Sequence, residues 1–213
     1  GISALISADL NGDNLKDVVL FSGKKPGENV VFEWIEQRKG SYWQRHKLYH
    51  YNALGGEHSD FIGSAQAEDF DKDGDVDFVF TVDGHVTGPI KVYLWENPGE
   101  EKCKLKNWPH HLIASVKGVH ANDMRVADMD GDGKSDIVIR HKQPDEVKII
   151  YQNCIEDWTL VSGPSGYTGE GLSLGDLNSD GRPDIAFTGY WFKAPKWPRH
   201  QQYTQFIIDE DFH

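Results

Sequence analysis

Asp69-Phe-Asp71-Lys-Asp73-Gly74-Asp75-Val-Asp77 is the stretch on which the reading of this 213-residue chain turns. Oxygen ligands at the first, third and fifth positions, with a small residue at the sixth for a sharp turn, wrap around a hard cation such as calcium. The same pattern, D-x-[DN]-x-D-[GN]-x-x-D, returns as Asp9-Leu-Asn11-Gly-Asp13-Asn14-Leu15-Lys-Asp17, as Asp128-Met-Asp130-Gly-Asp132-Gly133-Lys134-Ser-Asp136 and as Asp176-Leu-Asn178-Ser-Asp180-Gly181-Arg182-Pro-Asp184. The first residues of successive copies lie 60, 59 and 48 positions apart, so the chain is a repeat array. The seventh residues, Leu15, Asp75, Lys134 and Arg182, complete each candidate ligand set.

A helix-loop-helix calcium hand needs a bidentate Glu at position twelve, where this chain has Leu20, Phe80, Ile139 and Phe187. That reading fails in all four copies. The ninth-position Asp instead opens an apolar, β-branched and aromatic run at 18–21, 78–82, 137–139 and 185–187, which predicts a strand. A further strand is expected before each loop, at 4–8, 62–67, 124–127 and 172–174. A third follows at 30–35, 91–95 and 147–151, and a fourth opens with Trp43, Trp108, Trp158 or Tyr203. In the last unit the segment 189–195 blurs the third strand. Four strands per unit of about fifty residues predict an all-β chain of β-propeller blades, each a four-stranded antiparallel sheet. The expected blades are 1–56, 57–118, 119–166 and 167–213, within one domain or partial propeller.

These residues resemble the FG-GAP or VCBS repeats of integrin-α-like β-propellers, whose mark is this loop between the first two strands of a blade. The resemblance covers nearly the whole chain. The strings Leu94-Trp-Glu-Asn-Pro-Gly99, Trp108-Pro-His-His-Leu-Ile113 and Gly189-Tyr-Trp191 are similar to those of a secreted branch whose members bind or cleave polysaccharides. Asn14 departs from the family's glycine in loop one, although Asn tolerates a left-handed backbone. Such rings usually close with seven blades. The resemblance therefore implies a piece of a larger ring, a ring completed by a second copy, or a rarer four-bladed ring.

Composition narrows the partners. With 34 acidic against 22 basic residues the formal charge is −12, which repels nucleic-acid phosphates and favours cations. Four bound Ca²⁺ would offset eight of those charges, so the loops are expected to stabilise the fold when filled. Loops of this kind in extracellular modules bind at about 10⁻⁴–10⁻³ M, which suits an extracellular or periplasmic setting. No apolar run approaches the roughly 20 residues of a bilayer-spanning helix. Cys103 and Cys154 both fall between third and fourth strands of neighbouring blades that splay outward, so two free thiols are expected rather than a bridge.

In a four-stranded meander the connections alternate ends. The aspartate loops share one end with the third-to-fourth connections, and the irregular, aromatic and ionisable segments collect at the other. Convergent polar groups with aromatics are the default binding site. On that opposite end the ligand-contacting candidates are Glu57, Asp60, His85, Asn122, Asp123, His141, Glu170, Trp191 and Lys193. His58, His85, His120 and His141 lack the short spacings of a zinc site. His46 and His111 recur three residues after Trp43 and Trp108 and read as structural.

Three functions compete. A binding module would stack sugar C–H faces on Tyr167, Tyr190 and Trp191 and bond hydroxyls through Asp, Asn and His. A polysaccharide lyase acting by β-elimination would need Arg140 or Lys193 against the uronate, His58 or His120 as base, and Tyr167 or Tyr190 as acid. Protein adhesion, the third, rests on the fold alone.

Overall fold

The computed structural model describes residues 2–22, 31–40, 42–50, 61–83, 89–100, 102–104 and 108–209. They form four antiparallel four-stranded sheets, with no helix among the described residues. The first sheet is β1 (Ile2–Ala8), β2 (Asp17–Ser22), β3 (Val31–Arg38) and β4 (Tyr42–His50). The second is β5 (Phe61–Glu68), β6 (Asp77–Asp83), β7 (Ile90–Trp95) and β8 (His110–Val116). The third holds β9 (Val119–Ala127), β10 (Asp136–Lys142), β11 (Glu146–Cys154) and β12 (Asp157–Ser165). The fourth holds β13 (Ser173–Gly175), β14 (Asp184–Phe187), β15 (Tyr190–Lys193) and β16 (Thr204–Ile207). Every sheet runs in chain order as a meander, so each aspartate loop joins its first strand to its second.

Burial explains the composition of the strands. β6 is buried at every residue and β10 at all but its last, so both sheet faces are covered and both strands carry an apolar stretch, 78–80 in β6 and 137–139 in β10. The fourth strands face solvent on at least one side: β8 mixes exposed and buried positions, β12 mixes exposed and half-buried ones, and β16 is exposed throughout.

The chain forms two compact units, Gly1–His120 and Ala121–His213. In the first, Phe21, Phe32, Phe78, Phe80 and Trp95 interlock between the first and second sheets, with Phe21–Phe32 centroids 4.9 Å apart and Phe32–Trp95 5.0 Å apart. Replacing any one of these rings by Ala should cost about 3–5 kcal/mol. The core of the second unit is more aliphatic: Met129, Val138, Val147, Ile149, Leu172 and Ile185 surround Tyr151, Phe187 and Phe192.

Two expectations need correction. Residues 189–195 do not blur the third strand of the last sheet, because Tyr190–Lys193 is that strand, joined to β14 by a turn in which Thr188 and Gly189 both take positive φ. Trp108 does not open β8. It lies two residues before the strand, stacks on Phe78 at 5.0 Å and donates its Nε1–H to the Cys103 carbonyl at 2.9 Å. Both cysteines are free thiols, Cys103 buried and Cys154 exposed.

Candidate functional site

The four aspartate loops share one set of hydrogen bonds. The first Asp accepts from the sixth backbone N–H through Oδ2: Asn14 at 2.8 Å, Gly74 at 3.1 Å, Gly133 at 2.8 Å and Gly181 at 2.8 Å. The fifth Asp accepts from the seventh N–H at 2.8–3.2 Å in every copy. These short loops close because the fourth and sixth residues turn left-handed; Asn14 takes φ 66° where its counterparts Gly74 and Gly133 take 99° and 85°. Loop one therefore keeps the loop geometry despite lacking the glycine.

The ninth Asp acts as a clamp. Oδ2 of Asp17, Asp77, Asp136 and Asp184 accepts from the second residue of its own loop at 2.8–3.2 Å. Oδ1 accepts from the backbone just beyond or at the end of the third strand: Gln37, Asn97, Gln152 and Ala194, at 2.7–2.9 Å. Each ninth carboxylate thus ties its loop to the end of the third strand while remaining almost wholly buried. Burial is the main reason the carboxyls of Asp77 and Asp136 are pushed up to about 7, with their loop neighbours adding to it. A cation nearby would favour the charged form.

Ligand atoms of Asp69, Asp71 and Asp77 lie within 4.8 Å of one another, as do those of Asp128, Asp130 and Asp136, so either group could hold a metal ion. A further observation fits a cation in loops one and two. Oδ1 of Asp9 and Oδ1 of Asp69 are buried and accept no hydrogen bond, a costly arrangement that a cation would relieve. In loop three the same oxygen of Asp128 accepts from Gly131 at 2.7 Å and Asp132 at 3.1 Å, and in loop four Asp176 Oδ1 accepts from Asp180 at 3.0 Å. The remaining members of the ligand sets, Asn11, Asp13, Asp73, Asn178 and the seventh residues, are partly or fully exposed apart from Asn11.

Beside loop one, the buried Glu36 takes hydrogen bonds from Asn11 at 3.1 Å and Arg38 at 3.0 Å, meets His46 at 2.7 Å, and pairs with Lys104 at 3.3 Å. Burial alone would raise its pKa, but His46, Arg38 and Lys104 outweigh it and hold the carboxyl at about 2. His111 meets Glu96 at the matching place in the second sheet, so the recurring histidines partner glutamates at the ends of the third strands.

At the opposite end, Glu57, His58, Asp60 and His85 lie outside the described residues, as does the side chain of Asn122. In the first unit His120 is exposed at φ 56°; its N–H donates to the buried Asp83, and its Nδ1 stands 3.8 Å from Asp83 Oδ2. In the second unit several expected residues meet. Arg140 is buried, donates to the Tyr167 carbonyl at 2.9 Å, lies 4.0 Å from Asp123 and covers the Phe187 ring at 4.8 Å. Asp123 accepts from the Gly171 N–H at 3.0 Å, and Lys142 pairs with the exposed Glu170 at 3.0 Å. Tyr167 packs 4.7 Å from Tyr190 and donates its hydroxyl to Gln205 at 2.5 Å. His141 is buried, its pKa lowered by burial, with Nε2 4.0 Å from Glu146.

Two residues lie elsewhere than expected. Because strand side chains alternate, Trp191 faces away from Tyr190 and stacks on Phe206 at 4.6 Å. Lys193 ends β15 at the aspartate-loop end, 3.2 Å from Asp180. Sequence reasoning missed Asp83, the buried partner of His120, and Arg199, which reaches loop three; neither belongs to a recurring string. It also missed a cleft of about 380 Å³ beside Tyr167, lined by Phe192, Gln202, Tyr203 and Gln205.

Residues 69–139 match the FG-GAP-like repeat. No curated protein matches the chain. Among solved structures, the V. cholerae biofilm matrix protein Bap1 is similar at a TM-score of 0.49 and 19% identity, over 95% of this chain and 30% of that one. The chain thus spans about a third of the length of that protein.

Proposed function

We propose that this chain is a calcium-stabilised binding module of propeller blades that takes carbohydrate at the end opposite its aspartate loops. The observation that carries the ligand site is the group in the second unit. There the Tyr167 and Tyr190 rings stand 4.7 Å apart, next to Asp123 and the Lys142–Glu170 pair. Aromatic faces with polar groups on the rim suit sugar rings, whose C–H faces are apolar and whose edges carry hydroxyls. Calcium is supported by the oxygen-only donor sets, by the orphaned Asp9 and Asp69 oxygens, and by the repeat match. Each four-stranded sheet serves as one blade, and further blades or a second copy would complete the ring. Weak loops of this type work where calcium is plentiful, so the module belongs outside the cytosol.

The lyase reading is less well supported. The Arg140 guanidinium is buried and committed to the Tyr167 carbonyl, and the Tyr167 hydroxyl is committed to Gln205. Neither group is poised for a uronate.

Screening immobilised neutral and acidic polysaccharides, with ultraviolet detection of unsaturated products, tests the proposal. Binding without product is expected, and Tyr190→Ala should weaken it about fivefold, since stacking contributes about 1 kcal/mol per ring. Product formation would favour the lyase, and the absence of any glycan binding would overturn the carbohydrate reading.

A further inference from the structure

Loop three contains a cation of its own. Arg199, from the connection between β15 and β16, donates Nε–H to Asp130 Oδ2 and places Nη2 3.5 Å from Asp132 Oδ2. Its position is held from three other sides. Nη1 donates to Asn153 Oδ1 at 2.5 Å, Nη2 reaches the Gln152 carbonyl at 3.4 Å, and the guanidinium plane covers the Tyr151 ring at 4.8 Å. Lys134 adds a second positive charge, 2.5 Å from Asp132 Oδ2. Loop three thus has four aspartates and two paired cations.

Loop two has the same string with a fifth aspartate, Asp75. Its buried Asp69 Oδ1 accepts no hydrogen bond.

We propose that Arg199 is a built-in competitor for calcium at loop three, so that loop two fills first and loop three fills only at higher calcium. This inference rests on the loops binding calcium at all. The physical reason is twofold. A guanidinium a few ångströms from a divalent ion repels it, and it also occupies carboxylate lone pairs that the ion would use. The fork geometry of arginine, its permanent charge and its stacking on Tyr151 make displacement costly. The two loops therefore form a graded sensor within one chain: one is demanding of metal, the other partly satisfied without it.

Amide resonances of Gly74 and Gly133 test this, because each donates to the first Asp of its loop and reports that loop separately. The intact chain is titrated with calcium while both are followed by nuclear magnetic resonance. Gly74 is expected to shift at lower calcium than Gly133. In Arg199→Met the Gly133 midpoint should fall by roughly tenfold, the effect of removing one positive charge near a divalent ion, while Gly74 stays where it was. Arg199→Lys, which keeps the charge but loses the fork, should leave the Gly133 midpoint within about threefold of the parent. It also guards against a merely unfolded Arg199→Met.

If Gly133 weakens or stays unchanged in Arg199→Met, Arg199 supports the loop or is irrelevant to it, and the inference fails while the calcium reading stands. If neither glycine moves at millimolar calcium, the calcium reading fails and takes this inference with it.

Discussion

Loops two and three are written in nearly the same letters, and the molecule treats them differently. Around Asp69-Phe-Asp71-Lys-Asp73 a buried carboxylate oxygen is left without a donor, whereas around Asp128-Met-Asp130-Gly-Asp132 every comparable oxygen has found a backbone N–H, a lysine or Arg199. Loops one and four extend the contrast. Asp9 shares the orphaned oxygen of loop two, while Asp180 of loop four is paired with Arg182 at 2.7 Å and Lys193 at 3.2 Å. The first unit thus carries the loops with an orphaned carboxylate oxygen, and the second carries those whose first-Asp oxygens are met from their own chain. A ligand-set motif therefore describes what a loop can bind. How far its oxygens are already satisfied depends on residues tens of positions away.

The largest expected effect would show what the two units share. Asp77→Ala strips the acceptor from the Phe70 and Asn97 N–H groups, and Asp136→Ala does the same to Met129 and Gln152. Each change leaves two buried donors unsatisfied and should cost about 2–6 kcal/mol in chemical denaturation, in either unit. A loss below 1 kcal/mol at either site would mean that the clamp is not the common element it is taken to be here.

A smaller effect separates the units. Chelation should remove the stabilisation RT ln(1 + [L]/Kd), about 2.7 kcal/mol when calcium is at a hundred times Kd, from the first unit more than from the second. Amide exchange at β2 and β6 reports the first unit, and at β10 and β11 the second. Equal losses in both units would break the contrast.

The smallest effect lies within loop one. Asn14 sits at φ 66°, so Asn14→Gly should be nearly neutral and Asn14→Ala should cost about 1 kcal/mol, read from the thermal midpoint with calcium held constant. A neutral alanine would show that this turn relaxes freely and that the Asn is not what keeps loop one in the form of the others.

Much of the architecture was legible in the chain because its signals are local. A strand that is buried on both faces, such as Asp77–Asp83, is apolar except where a polar group finds a partner, as Asp77 does, and a loop that folds onto its own carboxylates must place them at alternate positions with left-handed residues between. Both requirements act within nine residues and repeat four times, so loops, strands and strand order are legible in the residues alone.

What the sequence determined by itself, then, is the four-sheet, all-β organisation and the oxygen-rich loops, since each follows from near-neighbour chemistry. The tertiary structure decided the rest. Alternation along β15 sent Trp191 to Phe206 and Lys193 to Asp180, away from the Tyr167–Tyr190 pair with which they had been grouped, because a side chain's face is set by strand pairing. Folding likewise brought Arg199 to Asp130 across 69 positions, and Arg140 to Tyr167 across 27. No periodicity marks either pair, for an electrostatic contact depends on distance in space, and only the packed sheets supply that.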